Sequence, residues 1–485
     1  MIFNLKFTSK THKKLQIETY IKNLIETGIL QKNEKLPSTR EMSLMLNVSR
    51  NTIIDVYENL TNEGFTDTIK GKGTFISSKK VISKISKNLN WNNFISAHAI
   101  MAEKLDTTKH ELRGTDDIIP FDSISPNKSL FDIDEIKRDF LNIISIEGNN
   151  ILNYGYAKGY KPLIEYLKTY MSHKGINLDN KDILITNGFT EGFNIVLSSI
   201  TEKGDRILCE NPTHNTSLKI MKLHNLNIKG IDMDDDGINI SSLKNELEKE
   251  VPKAVFLIPT YHNPTGIVMS SEKRLKVIEL INSFNVPIIE DGFNEELRYS
   301  NSNITSLAAL NSNNNNVIYI GSLSKILFPG MRIGWVMADT ELINYLESIK
   351  RSTNIHTSFL DQAILYEYLR GKNFSKYVKK AKRYYKNKYE LTIKYANKYL
   401  PYAKIWGEGG LHIFIKVTGI NSRELLSECY KKGIAFTPGD IFYTDNQGKD
   451  TFRIGFSRVN EAQIIMGFQI MGEIISNLKN KLEYI

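Results

Sequence analysis

Cysteine is nearly absent. Two occur in 485 residues, Cys209 and Cys429, far apart and with no His or Cys cluster beside either. A disulfide framework is excluded, no metal-binding spacing is present, and the usage suits a reducing compartment. Long apolar runs are lacking as well. Nothing approaches the roughly 18 consecutive apolar residues a membrane span requires. The opening Met1-Ile2-Phe3-Asn4-Leu5-Lys6-Phe7 is interrupted too early for a signal peptide, so a cytoplasmic chain with no membrane partner is expected. Charge of one sign is not in large excess: 63 Lys+Arg against 54 Asp+Glu leave +9. With 41% hydrophobic and 10% aromatic residues the chain is neither disordered nor fibrous. It is also about three times the usual domain size, so two or more folded units are expected.

The excess charge is unevenly placed. Residues 1 to 80 hold 13 basic and 8 acidic residues, over half of the surplus in the first sixth of the chain, which suits a unit that binds a polyanion. Apolar Leu15, Ile17, Ile21, Leu24 and Ile25 predict a helix over Lys14 to Thr27, stopped at Gly28. Ser38 followed three places on by Glu41 is a capping-box pattern, so a second helix is predicted over Thr39 to Leu46, with Met42, Leu44 and Leu46 as its apolar contacts. After the break Asn47-Val48-Ser49, Ser49 caps a third helix that carries Ile53, Ile54, Val56, Tyr57 and Leu60 and ends before Gly64. Phe65 to Thr68 and Thr74 to Ser77 then read as strands joined by Lys70-Gly71-Lys72-Gly73. The pattern is a winged helix-turn-helix.

Residues 81 to about 118 lose clear periodicity and read as a linker, with one helix near Ile95 to Leu105. From about residue 119, strand-like runs alternate with helical ones: Asp182 to Thr186, Arg206 to Glu210, Ala254 to Ile258, Val286 to Ile289 and Val317 to Ile320. That alternation predicts an α/β unit with a mostly parallel sheet covered on both faces. The asparagine run Asn311 to Asn316 reads as a surface loop.

In open parallel sheets ligands gather at the carboxyl ends of the strands. The residues that follow the five runs form a chemically consistent set. Gly188, Phe189 and Thr190 open a helix whose free N–H groups suit a phosphate. His214 follows Asn211-Pro212-Thr213, Asn263 lies in Asn263-Pro264-Thr265-Gly266, Asp291 follows the fourth run, and Ser322, Lys325 and Arg332 follow the fifth. Pyridoxal phosphate requires a lysine amine to form an imine, a carboxylate for the ring nitrogen, a donor near the ring hydroxyl, an anion cradle and a flat group against the ring. Lys325, Asp291, Asn263, the Gly188 turn with Ser322 and Arg332, and His214 match those needs in that order.

These segments resemble a fold type I, class I aminotransferase. The motifs Leu36-Pro37-Ser38-Thr39-Arg40, Asn47-Val48-Ser49-Arg50-Asn51-Thr52 and Gly71-Lys72-Gly73-Thr74-Phe75 resemble the GntR winged-helix family. Both in one chain, in this order, resemble the MocR-type regulators. The resemblance implies a GntR-type unit over residues 10–78, a linker over 79–118, and over 119–485 a pyridoxal-phosphate transferase fold with a smaller C-terminal α+β part.

It further implies that Lys325 carries the cofactor and that Asp291 pairs with the ring nitrogen. Asn263 would face the ring hydroxyl, and Arg332 with Ser322 would hold the phosphate. Tyr154 matches the tyrosine that reaches the phosphate of a partner subunit in a homodimer. Arg453 matches the arginine that grips the carboxylate of an effector, a task suited to a guanidinium fork. Two positions depart from the family pattern, Phe293 in place of a tyrosine and His214 in place of a stacking tyrosine that would not titrate. On the DNA side, Ser38, Arg40, Ser49, Arg50, Asn51, Thr52 and Lys72 are the implied contacts to a double-stranded operator. The implied function is a pyridoxal-phosphate-dependent transcriptional regulator sensing an amine, an amino acid or the cofactor itself. The alternative is a working class I aminotransferase with an N-terminal DNA-binding appendage.

Overall fold

The computed structural model describes residues 5, 7–8, 11–77, 89–106, 118–292, 295–299, 304–371 and 373–483. The chain divides into two compact units, Met1–Ile95 and Ser96–Ile485. Residue 78 at the end of the expected first domain, parts of the expected linker, 79–88 and 107–117, and Phe293 lie outside the described residues.

In the first unit, α1 (Lys13–Glu26), α2 (Thr39–Leu46) and α3 (Arg50–Asn62) precede a hairpin of β1 (Thr66–Ile69) and β2 (Gly73–Ile76). The caps are the predicted ones. Ser38 Oγ accepts from Glu41 N at 3.2 Å while Glu41 Oε2 accepts from Ser38 N at 2.8 Å, and Ser49 Oγ accepts from Thr52 N at 3.1 Å. Asn47 turns the chain in the left-handed region between α2 and α3. Ile17, Ile21, Met42, Leu46, Ile53, Val56, Leu60 and Ile76 form the core. Each such side chain withdraws apolar surface worth about 1.5–3 kcal/mol from water. Leu44, expected inside, is 77% exposed. Met42 and Leu46 lie four apart on one face of α2, and Leu44 between them points the other way. The hairpin pairs Thr66 with Ile76 and Ile69 with Gly73, and its tip requires Gly71 at φ +80°.

The second unit begins with the helix Ala97–Leu105, inside the expected linker, and a short strand β3 (Ile119–Pro120). Its main sheet is built from β4 (Lys181–Thr186), β5 (Arg206–Asn211), β6 (Asn227–Asp234), β7 (Gly237–Ile238), β8 (Ala254–Leu257), β9 (Ile288–Asp291), β10 (Val317–Ser322) and β11 (Gly334–Asp339). Their spatial order is β4-β11-β10-β9-β8-β5-β6-β7. The central strands run parallel, while β11 is antiparallel to both neighbours.

Alternation decides which face each residue serves. Along β8, Ala254 and Phe256 join the core on one side, and Val255 and Leu257 join the core on the other. Strands buried on both faces read as unbroken apolar runs, which is why they were legible. The fourth run is displaced by two residues from the expected Val286 to Ile289, because β9 is set by pairing Ile320 of β10 with Asp291. Asp291 is therefore the last residue of the strand, whereas the sequence pattern places it, after Glu290, beyond the strand's end. The asparagine run is not merely a surface loop either. Asn311 is buried and its amide bonds to Asn316 and Asn282.

The C-terminal part has its own core and a four-stranded antiparallel sheet. Its strands are β12 (Lys404–Trp406), β13 (His412–Lys416), β15 (Thr437–Pro438) and β16 (Thr451–Gly455), in the order β12-β13-β16-β15. A further strand, β14 (Ile434–Ala435), pairs in parallel with β3. Arg453 on β16 stands opposite Phe414 and Thr437. Among the described residues no helix is long and apolar enough to cross a membrane.

Candidate functional site

The carboxyl ends of β4, β5, β8, β9 and β10 deliver the predicted groups, and β16 adds Arg453 from the smaller sheet. At the end of β4 the chain turns through Asn187 into the helix Gly188–Ile200. Gly188 has φ +76°, and a Cβ there would lie 2.7 Å from Arg332 Nη2. Arg332, itself at φ +54°, donates from Nη2 to Asn187 O at 3.3 Å. Ser322 donates to Ser324 Oγ at 3.0 Å beside this turn. Phe189 packs on Phe193 and edge-on against His214, and Thr190 is exposed on the first helical turn.

After β5, His214 is fixed by a 3.1 Å bond between its Nδ1 and Ser217 Oγ. Burial first, and then the charges of Lys325 and Arg453, push its pKa down to about 3. Its imidazole is therefore biased toward the neutral form, against the titration expected at this position. After β8, Asn263 Oδ1 accepts from Arg453 Nη1 at 2.9 Å, which turns the Asn263 amide nitrogen away from Arg453. Arg453 is buried, lies over the Phe442 ring at 5.1 Å, and donates from Nη2 to Asp122 O and Thr437 Oγ1, both at 3.3 Å. Its Nε has no hydrogen-bond partner among the described residues, and burial draws its pKa down to about 10.

Lys325 follows β10. Burial chiefly, then Arg453 and Arg332, lower its amine to about 8, while Asp291 pulls the other way. Asp291 is 7% exposed, and burial together with Glu295, Glu210 and Glu290 pushes its carboxyl well above the usual range. No hydrogen bond to that carboxyl is made among the described residues.

These features decide whether pyridoxal phosphate suits the pocket. Arg453 and Arg332 both act on Lys325 across it, a glycine turn opens a helix N-terminus, and a buried carboxyl sits at the end of β9. An anionic, ring-bearing ligand with one basic nitrogen meets all three. The residues present fit the cofactor.

Tyr154 stands apart. It is 81% exposed, its ring contact is the edge of His356 at 5.9 Å, and the fold does not bring it to the other predicted residues. Several buried groups behind the pocket were not predicted. Glu210 Oε2 accepts from Ile258 N at 2.9 Å and lies 3.5 Å from His262 Nε2. Glu290 caps the helix Leu307–Leu310 through Leu307 N and Ala308 N. Arg274 donates to Met269 O, Thr305 O, Pro259 O and Thr260 Oγ1. A charged residue at a strand end carries no sequence signal that separates such service from solvent exposure. For Glu290 alone, its position beside Asp291 was a usable hint.

In the first unit, Arg40, Arg50, Asn51 and Lys72 are exposed, and Thr52 is half-buried. Arg50 Nε donates to Thr39 Oγ1 at 3.3 Å, which docks the start of α3 on the start of α2. The oxygens of Ser38 and Ser49 are engaged in caps, so these two residues organise the helix starts that present the arginines.

Comparison with known proteins gives a consistent set of likenesses. Residues 126–467 match the family described as aminotransferase class I and II, and residues 13–76 match the bacterial regulatory proteins of the gntR family. The chain is 31% identical over 376 residues to aromatic-amino-acid aminotransferase 1 of Thermococcus litoralis, covering 76% of this chain and 90% of that one. It is 26% identical over 485 residues to the uncharacterized HTH-type transcriptional regulator YdfD of Bacillus subtilis, covering 98% and 99%. Among solved structures it resembles the Pyrococcus horikoshii kynurenine aminotransferase in complex with PMP. That match has a TM-score of 0.74 and 29% identity, over 80% of this chain and 98% of that one.

Proposed function

The chain belongs to the class I and II aminotransferase family, with a gntR-type helix-turn-helix unit ahead of it, and from that premise we propose that it is a pyridoxal-phosphate-dependent, DNA-binding transcriptional regulator. One observation carries the proposal. A single chain joins a winged helix-turn-helix to a pocket in which Lys325, Asp291, Asn263, Arg453 and the Gly188–Arg332 turn converge.

Bound there, pyridoxal phosphate supplies an aldehyde for which the Lys325 amine and an effector amine compete. Lys325, drawn down to about 8, is partly unprotonated near neutral pH and so available as a nucleophile. Asp291 would hold the proton of the ring nitrogen, and that pairing would bring its carboxyl back toward the ionised form. Asn263 would orient the ring hydroxyl with the amide nitrogen that Arg453 leaves unused. The Gly188–Thr190 turn, Ser322 and Arg332 would hold the phosphate. His214, uncharged, would lie against the ring. Arg453 would take the carboxylate of an amino-acid effector, exchanging its bonds to Asp122 O and Thr437 for a shared fork.

The assembly proposed is a cytoplasmic homodimer, in which the exposed Tyr154 would serve the phosphate of the partner subunit. The exposed Ile133, Leu141, Ile146, Leu152 and Tyr156, close to it in the chain, support such an interface. Residues 10–78 and 119–485 are the proposed functional domains. A second reading, a working aminotransferase, is favoured by the lowered Lys325 amine, since an amine that exchanges its proton near neutrality also suits a general base.

The test is direct. Wild type incubated with pyridoxal phosphate and treated with borohydride is expected to retain the cofactor covalently, and Lys325→Ala to retain none; retention by the variant overturns the assignment. Sequence-dependent DNA binding by the same preparation separates the regulator from the enzyme. Rapid half-transamination without operator binding would replace the first reading with the second.

A further inference from the structure

Lys350, on the helix Thr340–Asn354, is fully buried, yet no carboxylate lies within ion-pair distance of it among the described residues. Its Nζ donates to Ala157 O at 2.6 Å and Ile185 O at 2.7 Å. Burial draws the amine down to about 8, and the fields of Glu191 and Glu347 only partly oppose that. A methionine would fill the same space without the cost of burying a charge, so stability alone does not account for a lysine here.

The two carbonyls identify what it does. β4 is the edge strand of the main sheet, and the segment beside it lies along the free edge, with Ile185 N donating to Lys158 O at 2.9 Å. A Cβ at Gly159 would lie 2.4 Å from the Ile185 side chain, so the approach is close. Lys350 therefore stitches the segment that follows Tyr154 to the residue two places before Asn187. One helical turn on, and on the same helix face, Asn354 Nδ2 donates to Glu191 Oε1 at 2.8 Å. Glu191 Oε2 in turn accepts from Asn187 N at 2.5 Å, and Asn187 O accepts from Arg332. The helix then ends at Ile355, whose φ of +52° and ψ of −68° are strained for a β-branched residue. A backbone held in such a state marks a segment over-determined by its surroundings.

We infer that Lys350 and Asn354 are positioning residues for the phosphate cradle, two rungs of one helix that hold the Asn187–Gly188 turn and the Tyr154-bearing segment in a single arrangement. The inference rests on the reading that the Gly188 turn receives the cofactor phosphate. It adds that the discrimination for a phosphorylated aldehyde is maintained from a helix that does not touch the ligand.

The experiment compares pyridoxal phosphate with pyridoxal, which lacks the phosphate, as ligands of the full-length protein, with hydrogen exchange at Ile185 and Asn187 measured without ligand. Lys350→Met is expected to weaken pyridoxal phosphate by about tenfold, because the two bonds to Ala157 O and Ile185 O that hold the cradle in place are lost. Pyridoxal affinity should stay unchanged, and exchange at both amides should quicken. Asn354→Ala is expected to show the same phosphate-specific loss, and it decides the matter if Lys350→Met fails to fold. Equal losses for both ligands, or none, overturn the inference while leaving the cofactor reading intact. A wild type that binds the two ligands equally would instead overturn the phosphate cradle itself.

Discussion

Burial draws the Lys325 amine down to about 8 and pushes the Asp291 carboxyl up, so each is biased toward its neutral form. Both shifts are the ones a bound cofactor would use, the amine by giving up its proton and the carboxyl by gaining a cationic partner. The buried histidines differ. His412 is fully buried, donates to His262 O at 3.2 Å, and has its pKa lowered to about 3, first by burial and then by Arg453. An unfolded histidine titrates near 6.5, so below that pH the unfolded chain binds the proton and the native chain does not. Stability contributed by this site is full above about 6.5 and is lost as pH falls toward 3. Relative to His412→Phe, wild type is expected to lose up to about 1.4 kcal/mol per pH unit in that window. Urea unfolding at a series of pH values measures the difference, and a constant difference would mean that His412 protonates in place.

At the scale of elements, the three helices and hairpin of the first unit are arranged by local chemistry. Two caps set where α2 and α3 begin, and Tyr57 of α3 donates from its hydroxyl to Pro37 O at 2.8 Å, locking the start of one helix to the body of the other. The exposed Arg50 is thereby presented at a helix N-terminus, and Lys72 at the hairpin tip, where Gly71 allows the tight turn. The two residues are expected to act differently on operator DNA. Arg50→Ala should cost about 1–3 kcal/mol of discrimination between operator and unrelated sequence. Lys72→Ala should weaken both alike and reduce the slope of log affinity against log salt by about 1. Fluorescence anisotropy at several salt concentrations separates them, and identical behaviour would mean that the wing and the recognition helix have been wrongly distinguished.

At the scale of the whole molecule, the chain carries two units with separate cores, Met1–Ile95 and Ser96–Ile485, and every pocket residue belongs to the second. Ligand stabilisation should therefore be confined. Pyridoxal phosphate at a hundred times its dissociation constant is expected to stabilise the larger unit by about 2.7 kcal/mol, with the unfolding of the smaller one unmoved. Calorimetry with and without the cofactor reports both, and a joint shift would show that the two unfold as one.

The boundary between what was legible and what was not follows the range of the interactions. Caps such as Ser38 with Glu41 act over three residues, and strands buried on both faces are written as apolar runs, so the helix-turn-helix, the parallel sheet and the groups at its strand ends, Lys325, Asn263 and Asp291 among them, could be read from the chain alone. Tertiary structure decided the contacts that join distant segments. It placed Arg453 on Asn263, 190 residues away, Lys350 on Ala157 and Ile185, and Glu210 beside His262. It also turned Leu44 outward and set the histidine at position 214 beside Lys325 and Arg453, where burial and then their charges favour its neutral form. A side chain's charge state and partners depend on what folding packs around it, and for an ionisable residue the local sequence is the same whether it faces water or a buried carbonyl.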